Sequence, residues 1–306
     1  MERKYKDKHQ YKIRRVKRQS IKRIYRGWID TMIKHYDKNS CLRFRVVDQP
    51  PLQTQHLLVV TEQTHMGCKS SLGKNPDYRN SSQPVWLSRG CHYYDTVIHE
   101  FMHALGVFHE HARPDNKQHI ELFLDNIPPD AYAQFDSCAP YCDEAGFAID
   151  PVTGAFTPRN PTLKNSAGLA LDFSFWDMRR INQAYCYGIC RNEISCGPEG
   201  YQNPSNCSQC ICPEGIGGPD CANAMPSRDA CGGLLTATNS WQHLHIDALR
   251  RMPQPDDCKY VITAPVGQQV ELETIEITMD ESKHADKCYW ESLEVRTSRF
   301  ADASAV

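Results

Sequence analysis

His99-Glu100-Phe101-Met102-His103-Ala104-Leu105-Gly106-Val107-Phe108-His109-Glu110 decides how the rest of this sequence is read. The apolar residues Val97, Ile98, Phe101, Ala104 and Leu105 recur at helical spacing, with Asp95 or Thr96 as N-cap and Gly106 as a stop that tolerates positive φ. On that helix His99 and His103 stand one turn apart on one face, so both imidazoles reach a single metal ion while Glu100 projects beside them. Two ligands are too few for zinc. Gly106 lets the chain leave the helix and turn, bringing His109 back as a third nitrogen ligand and leaving a position open for water, as a catalytic zinc site requires. Zinc then acidifies that water; Glu100 takes its proton as it attacks a scissile carbonyl and later protonates the leaving amine. A lone His-x-x-x-His pair on a helix is common and means little, whereas three His in register with Glu and Gly is specific. His92, His111 and His119 lie off the register and read as ordinary loop residues.

Upstream, Ile21, Ile24, Tyr25, Trp28, Ile29, Met32, Ile33 and Tyr36 mark a one-faced helix that Ser20 caps and Asn39 stops. Cys41, Leu42, Phe44, Val46 and Val47 then read as a strand, and 57–60 as a second, buried one. Residues 67–91 and 126–170 read as loop-rich, and a third helix covers 173–185. Between Cys190 and Cys221 six cysteines crowd a segment that cannot bury a core and must be stapled. From Cys231 the pattern is strand-like at Tyr260 and Ile262, Val270 and Leu272, Ile275 to Met279, and Leu293 to Val295. A break between Leu272 and Ile275 is of the kind a bulge makes.

The 306 residues suffice for a core-bearing domain and small modules. Net charge is −2, but residues 1–26 carry twelve Lys/Arg against two Asp/Glu, so the remainder is strongly acidic and argues against a nucleic-acid partner. The basic run Arg14-Arg15-Val16-Lys17-Arg18 reads as a solvated tail. No apolar stretch is long enough to span a membrane. Fifteen cysteines favour an oxidising, secreted setting, although the first nineteen residues have no signal-peptide core. Asn80-Ser81-Ser82 and Asn206-Cys207-Ser208 are glycosylation acceptor sequons.

The motif with Glu110 directly after the third His resembles the astacin family of zinc endopeptidases, within the metzincins. Ser40-Cys41-Leu42-Arg43-Phe44, the segment from Gln83 to Cys91, Thr96-Val97-Ile98, and Phe175-Trp176-Asp177 through Cys186 are similar to landmarks of that family. The resemblance implies an α+β zincin fold, with an active-site helix over a cleft and a mixed sheet. One Zn2+ would be held by His99, His103 and His109, with Glu100 as catalytic base. Cys41 would pair with Cys186 and Cys68 with Cys91. The cysteines from 190 to 221 resemble an EGF-like module, implying Cys190–Cys207, Cys196–Cys210 and Cys212–Cys221. Cys231-Gly232-Gly233-Leu234, Trp241, Cys258-Lys259-Tyr260 and Leu293-Glu294-Val295-Arg296 resemble a CUB domain, an all-β sandwich with Cys231–Cys258. The expected organisation is a basic extension (1–19), a peptidase domain (20–189), an EGF-like module (190–222), a linker (223–230) and a partial CUB domain (231–306). The implied function is a secreted endopeptidase acting on extracellular matrix or other secreted proteins, its modules binding partner or substrate.

Three departures shape that expectation. No Met-His-Tyr, the usual Met-turn of the family, occurs anywhere, and Asp143-Glu144-Ala145-Gly146 followed by Phe147-Ala148-Ile149 reads as though its flanks were joined at 146–147. The chain reaches its first helix by residue 20, without signal peptide, propeptide or opening strand, which leaves Glu110, the family's partner for a new N-terminus, with no obvious partner. A CUB domain of ordinary length would also continue past Val306. Cys138 with Cys142 would complete a seventh pair, leaving Cys288 over. A catalytically impaired extracellular binding or adhesion protein of the same architecture is therefore the alternative.

Overall fold

The first helix, α1 (Arg23–Asn39), buries Tyr25, Ile29, Met32 and Tyr36, a stripe at helical spacing, against a sheet. The structure is a computed structural model, and it describes residues 10–14, 23–47, 56–61, 67–79, 81–88, 91, 93–129, 132, 154–164, 172–197, 199–227, 231–246, 258–278 and 293–296. The sheet comprises β1 (Gln10–Arg14), β2 (Arg43–Val47), β3 (His56–Val60), β4 (Cys68–Ser70) and β5 (Ser82–Leu87), in the order β2-β1-β3-β5-β4. Only the β4–β5 pairing is antiparallel. Beneath the sheet α1 meets α2 (Tyr94–Ala104) and α3 (Phe175–Tyr185). Leu42, Phe44, Leu57, Val59, Val85 and Leu87 there close on Val97, Phe101, Met178 and Ile181 in one core. Fully burying each such side chain contributes roughly 1.5–3 kcal/mol.

Two sequence expectations change here. Residues 10–14, read as part of a solvated basic extension, form β1, which pairs in parallel with β2 from Gln10↔Arg43 to Arg14↔Val47 and with β3 at Ile13 and Arg14. The run alternates Tyr11 and Ile13 with Lys12 and Arg14, but its charge density hides that alternation. The loop-rich reading of 67–91 misses β4 and β5. In β5 every second residue is buried (Gln83, Val85, Leu87), while Pro84 and the flanking turn residues disguise it as loop.

The helix boundaries follow local chemistry. Ser174 caps α3 in a reciprocal capping box with Asp177. Helix α2 begins one residue earlier than its expected cap: Tyr93 occupies the N-cap position, and Asp95 sits in the first turn with its carboxylate accepting from the Thr96 N–H at 2.6 Å. The Ser20 cap expected for α1 lies outside the described residues. Within the expected 126–170 loop, β7 (Phe156–Pro158) pairs antiparallel with β6 (Ile120–Leu122). The 146–147 junction, Asn80, Cys138, Cys142 and Cys288 all lie outside the described residues.

The chain divides into two compact units, the first reaching Cys186 and the second beginning at Tyr187. In the second unit, β8 (Tyr201–Gln202) pairs with β9 (Cys210–Ile211) and β10 (Ile216–Gly217) with β11 (Asn223–Ala224), both antiparallel. Disulfides join Cys190–Cys207, Cys196–Cys210 and Cys212–Cys221 across them. Further along, β12 (Gly233–Thr236) and β13 (Tyr260–Thr263) form a parallel pair, and Cys231 is bonded to Cys258. The strands expected at 270–278 do not form: Val270, Leu272, Ile275 and Ile277 are exposed, and an alternating segment gains little from extension while its apolar residues stay in water. Among the described residues, this region shows a two-stranded parallel pair.

Candidate functional site

Helix α2 and the turn that follows it build the site. His99, Glu100 and His103 lie on α2, whose other face is fixed in the core by Val97, Phe101 and Ala104. At the helix end Gly106 takes φ +87°, and its N–H donates to the His103 carbonyl at 2.8 Å. That left-handed conformation suits glycine and breaks the helix. The chain then runs through Val107 and Phe108 and returns His109.

The Nε2 atoms of the three histidines converge: His99 to His103 is 3.0 Å, His99 to His109 is 3.1 Å and His103 to His109 is 2.8 Å. The Nδ1 of His103 donates to the Val107 carbonyl at 2.9 Å, which leaves its Nε2 lone pair turned to the cluster. Burial first, then the neighbouring imidazoles, holds His99 and His109 in the neutral form, His109 down to about 2. His103 is lowered by burial, partly opposed by its bond to Val107. Glu100 is fully buried and neither carboxyl oxygen has a hydrogen-bond partner among the described residues; burial pushes it up to about 8.

These residues fit a zinc ion. Neutral imidazoles are its preferred nitrogen ligands, and zinc–nitrogen bonds near 2.0–2.1 Å in tetrahedral geometry separate two nitrogens by about 3.3 Å, close to the spacing here. A buried carboxyl without a partner is costly unless a cation or a substrate group completes its surroundings.

His111 and His119 stay outside the cluster, and His92 is not among the described residues. His111 is not an uninvolved loop residue, however. Its ring stacks on His109 with centroids 5.4 Å apart and on Phe156 at 6.0 Å. The Glu110 carboxylate, expected to lack a partner, has two: Arg180 engages both its oxygens, and Arg113 reaches Oε1 at 2.8 Å. Burial alone would push Glu110 up, but these guanidiniums outweigh it and hold the carboxyl below its ordinary range. No sequence signal marks the pairing, because Arg180 lies 70 residues away on another helix. Cys41 is bonded to Cys186, and Cys68 to Cys91. In the second unit Asn206 is exposed, its side-chain oxygen accepting from the Ser208 hydroxyl at 2.8 Å.

Residues 1–141 match the family described as Astacin, a peptidase family. The chain is similar to zinc metalloproteinase nas-36 of Caenorhabditis briggsae, 28% identical over 266 residues that cover 80% of this chain and 41% of that protein. It is 35% identical to zinc metalloproteinase nas-34 of Caenorhabditis elegans over 223 residues, covering 67% of this chain and 35% of the other. The chain thus spans less than half the length of these curated relatives. Among solved structures it is similar to high choriolytic enzyme 1, a hatching enzyme zinc-protease from Oryzias latipes, with a TM-score of 0.48 and 24% identity, covering 58% of this chain and 89% of that one.

Proposed function

We propose that this chain, whose residues 1–141 match the Astacin peptidase family, is a zinc-dependent endopeptidase that hydrolyses peptide bonds of extracellular proteins. The observation that carries this reading is the convergence of three imidazole Nε2 atoms beside the buried, unpartnered Glu100 carboxyl. His99, His103 and His109 would hold the ion. Zinc, when bound, supplies the Lewis acidity that polarises a carbonyl and makes water nucleophilic at neutral pH. Glu100 handles the protons: a carboxylate oxygen takes one from the attacking water as its oxygen bonds to the carbonyl carbon. The same oxygen then delivers it to the amide nitrogen as the C–N bond breaks. The apolar residues behind α2 keep bulk water from Glu100 and fix its position.

Secretion fits the disulfides, which persist in oxidising compartments; among the described residues no helix is long and apolar enough to cross a membrane. We assign 190–222 as an EGF-like module and 231–306 as a CUB-like module, both serving partner or substrate binding, with Asn80 and Asn206 as glycosylation sites. A catalytically impaired binding protein of the same architecture is the second reading, favoured by the lack of any Met-His-Tyr in the sequence.

One experiment separates them. The full chain, produced through a secretory pathway, is assayed on casein and gelatin and for bound zinc. Cleavage stopped by a chelator, restored by zinc and abolished in Glu100→Ala supports the endopeptidase. One zinc per chain with no cleavage supports the binding protein, and no zinc at all overturns both assignments of the cluster.

A further inference from the structure

The stretch that returns His109 to the cluster, from Leu105 to Glu110, is gripped at both ends by α3. At its start the Tyr185 hydroxyl donates to the Leu105 carbonyl at 2.5 Å. At its finish the Arg180 guanidinium forks onto Glu110, Nη2 reaching Oε1 at 2.6 Å while Nη1 meets Oε2. Helix α3 is a firm support. Cys186, at its end, is bonded to Cys41, and Asn182 donates to the Asn39 carbonyl at the end of α1 at 2.8 Å.

Leu105 is buried in the core and Val107 packs against it, but the rest of the stretch is not filled in against α3. A cavity of about 380 Å3 lies between the stretch and α3, lined by Val107, His109, Glu110, Arg180 and Tyr185 among others. On that side the polar contacts at Leu105 and Glu110 add to the packing of Leu105 and Val107 in setting the path of the backbone. An ion pair as exposed as Arg180 and Glu110, at 41% and 57%, adds little to global stability. Its effect is therefore local, on the residue next to Glu110, which is His109.

We propose that Arg180 and Tyr185 are positioning residues that clamp the two ends of the 105–110 stretch and so hold His109 where it completes the metal cluster. The proposal rests on the reading of His99, His103 and His109 as zinc ligands. Partners that orient a metal ligand from outside its coordination sphere commonly change affinity by about 10–100-fold when removed.

The test uses the full chain with Arg180→Met, Arg180→Lys and Tyr185→Phe. Tyr185→Phe removes one hydroxyl and keeps the ring, so it tests the clamp even if Arg180→Met folds poorly. Zinc affinity is measured by competition with a chromogenic chelator, the visible spectrum of the cobalt-substituted chain reports ligand geometry, and thermal unfolding is followed without metal. Arg180→Met and Tyr185→Phe should each bind zinc about tenfold more weakly and weaken the cobalt bands. Arg180→Lys should recover most of the loss, and the metal-free midpoint should stay put. Wild-type affinity in both variants, or a lowered metal-free midpoint with unchanged affinity, would overturn the clamp. A wild-type chain that takes no zinc would sink the ligand reading, and the clamp with it.

Discussion

The Nδ1–H of His103 donates to the carbonyl of Val107 at 2.9 Å. Since a carbonyl can only accept, the tautomer of His103 is settled and its Nε2 presents a lone pair toward His99 and His109. Val107 lies in the turn that also returns His109, so one hydrogen bond links the orientation of one imidazole of the cluster to the path of the chain that carries another.

A cluster arranged in this way favours metal over its absence, and metal binding adds to folding stability. At free zinc one hundredfold above the dissociation constant, the gain is about 2.7 kcal/mol. Stripping the metal with a chelator should therefore lower the thermal midpoint by about 5–10 °C, taking 2–4 °C per kcal/mol for a domain of this size. Differential scanning calorimetry with and without added zinc checks this. An unchanged midpoint counts against a structural hold on the ion.

Gly106→Ala should destabilise by about 1–3 kcal/mol, the usual strain of a side chain held in the left-handed region, because φ there is +87°. A methyl group would meet only ordinary contact, 3.7 Å from the Gly73 Cα, so the cost lies in the backbone and not in a clash. Gly106→Asn, which tolerates that region better, should cost less. Urea unfolding of the three chains ranks them, and equal midpoints would remove the turn argument.

Cys41 and Cys186 lie 145 residues apart and tie the end of α3 to the segment that follows α1. Replacing both with serine should cost about 2–5 kcal/mol, the common range for a disulfide closing a long loop. Denaturant titration measures the loss. If His109 is a zinc ligand as proposed, the double variant should also release zinc more readily, because α3 contacts both ends of the stretch that carries it.

Tyr94 gives a pH signature away from the metal. Burial first, and then the Asp172 carboxylate, pushes its phenol from 10.0 up to about 12. The folded chain holds this proton more tightly than the unfolded one. Its stabilising contribution is therefore complete below pH 10 and is lost as pH rises through about 12. In an ultraviolet tyrosinate titration one late-ionising group should vanish in Tyr94→Phe, and stability should fall less steeply in alkali. A titration identical to that of the wild type would refute the assignment.

What could be read from the sequence is what has a short period or a fixed register. The stripe of α1, the His-x-x-x-His face of α2 and the Gly106 stop each depend on residues within a few positions of one another, and helical geometry alone brings them together. The third helix, expected over 173–185, is equally local, although its Ser174–Asp177 capping box emerged only in the structure. The strand at 10–14 was hidden because its charge outweighs its alternation, and only pairing with β2 and β3 draws it into the sheet.

The tertiary structure decided the contacts that join distant segments. Arg180 reaches Glu110 and Tyr185 reaches Leu105 across 70 and 80 residues, and no spacing in the sequence marks either pair. The alternating apolar run at 270–278 shows the converse: its pattern is strand-like, but among the described residues it forms no strand and its apolar residues stay exposed. Periodicity determines which face a segment could bury. What that face meets is a property of the packed chain, because long-range partners are chosen by the fit and desolvation of surfaces that exist only once the elements have assembled.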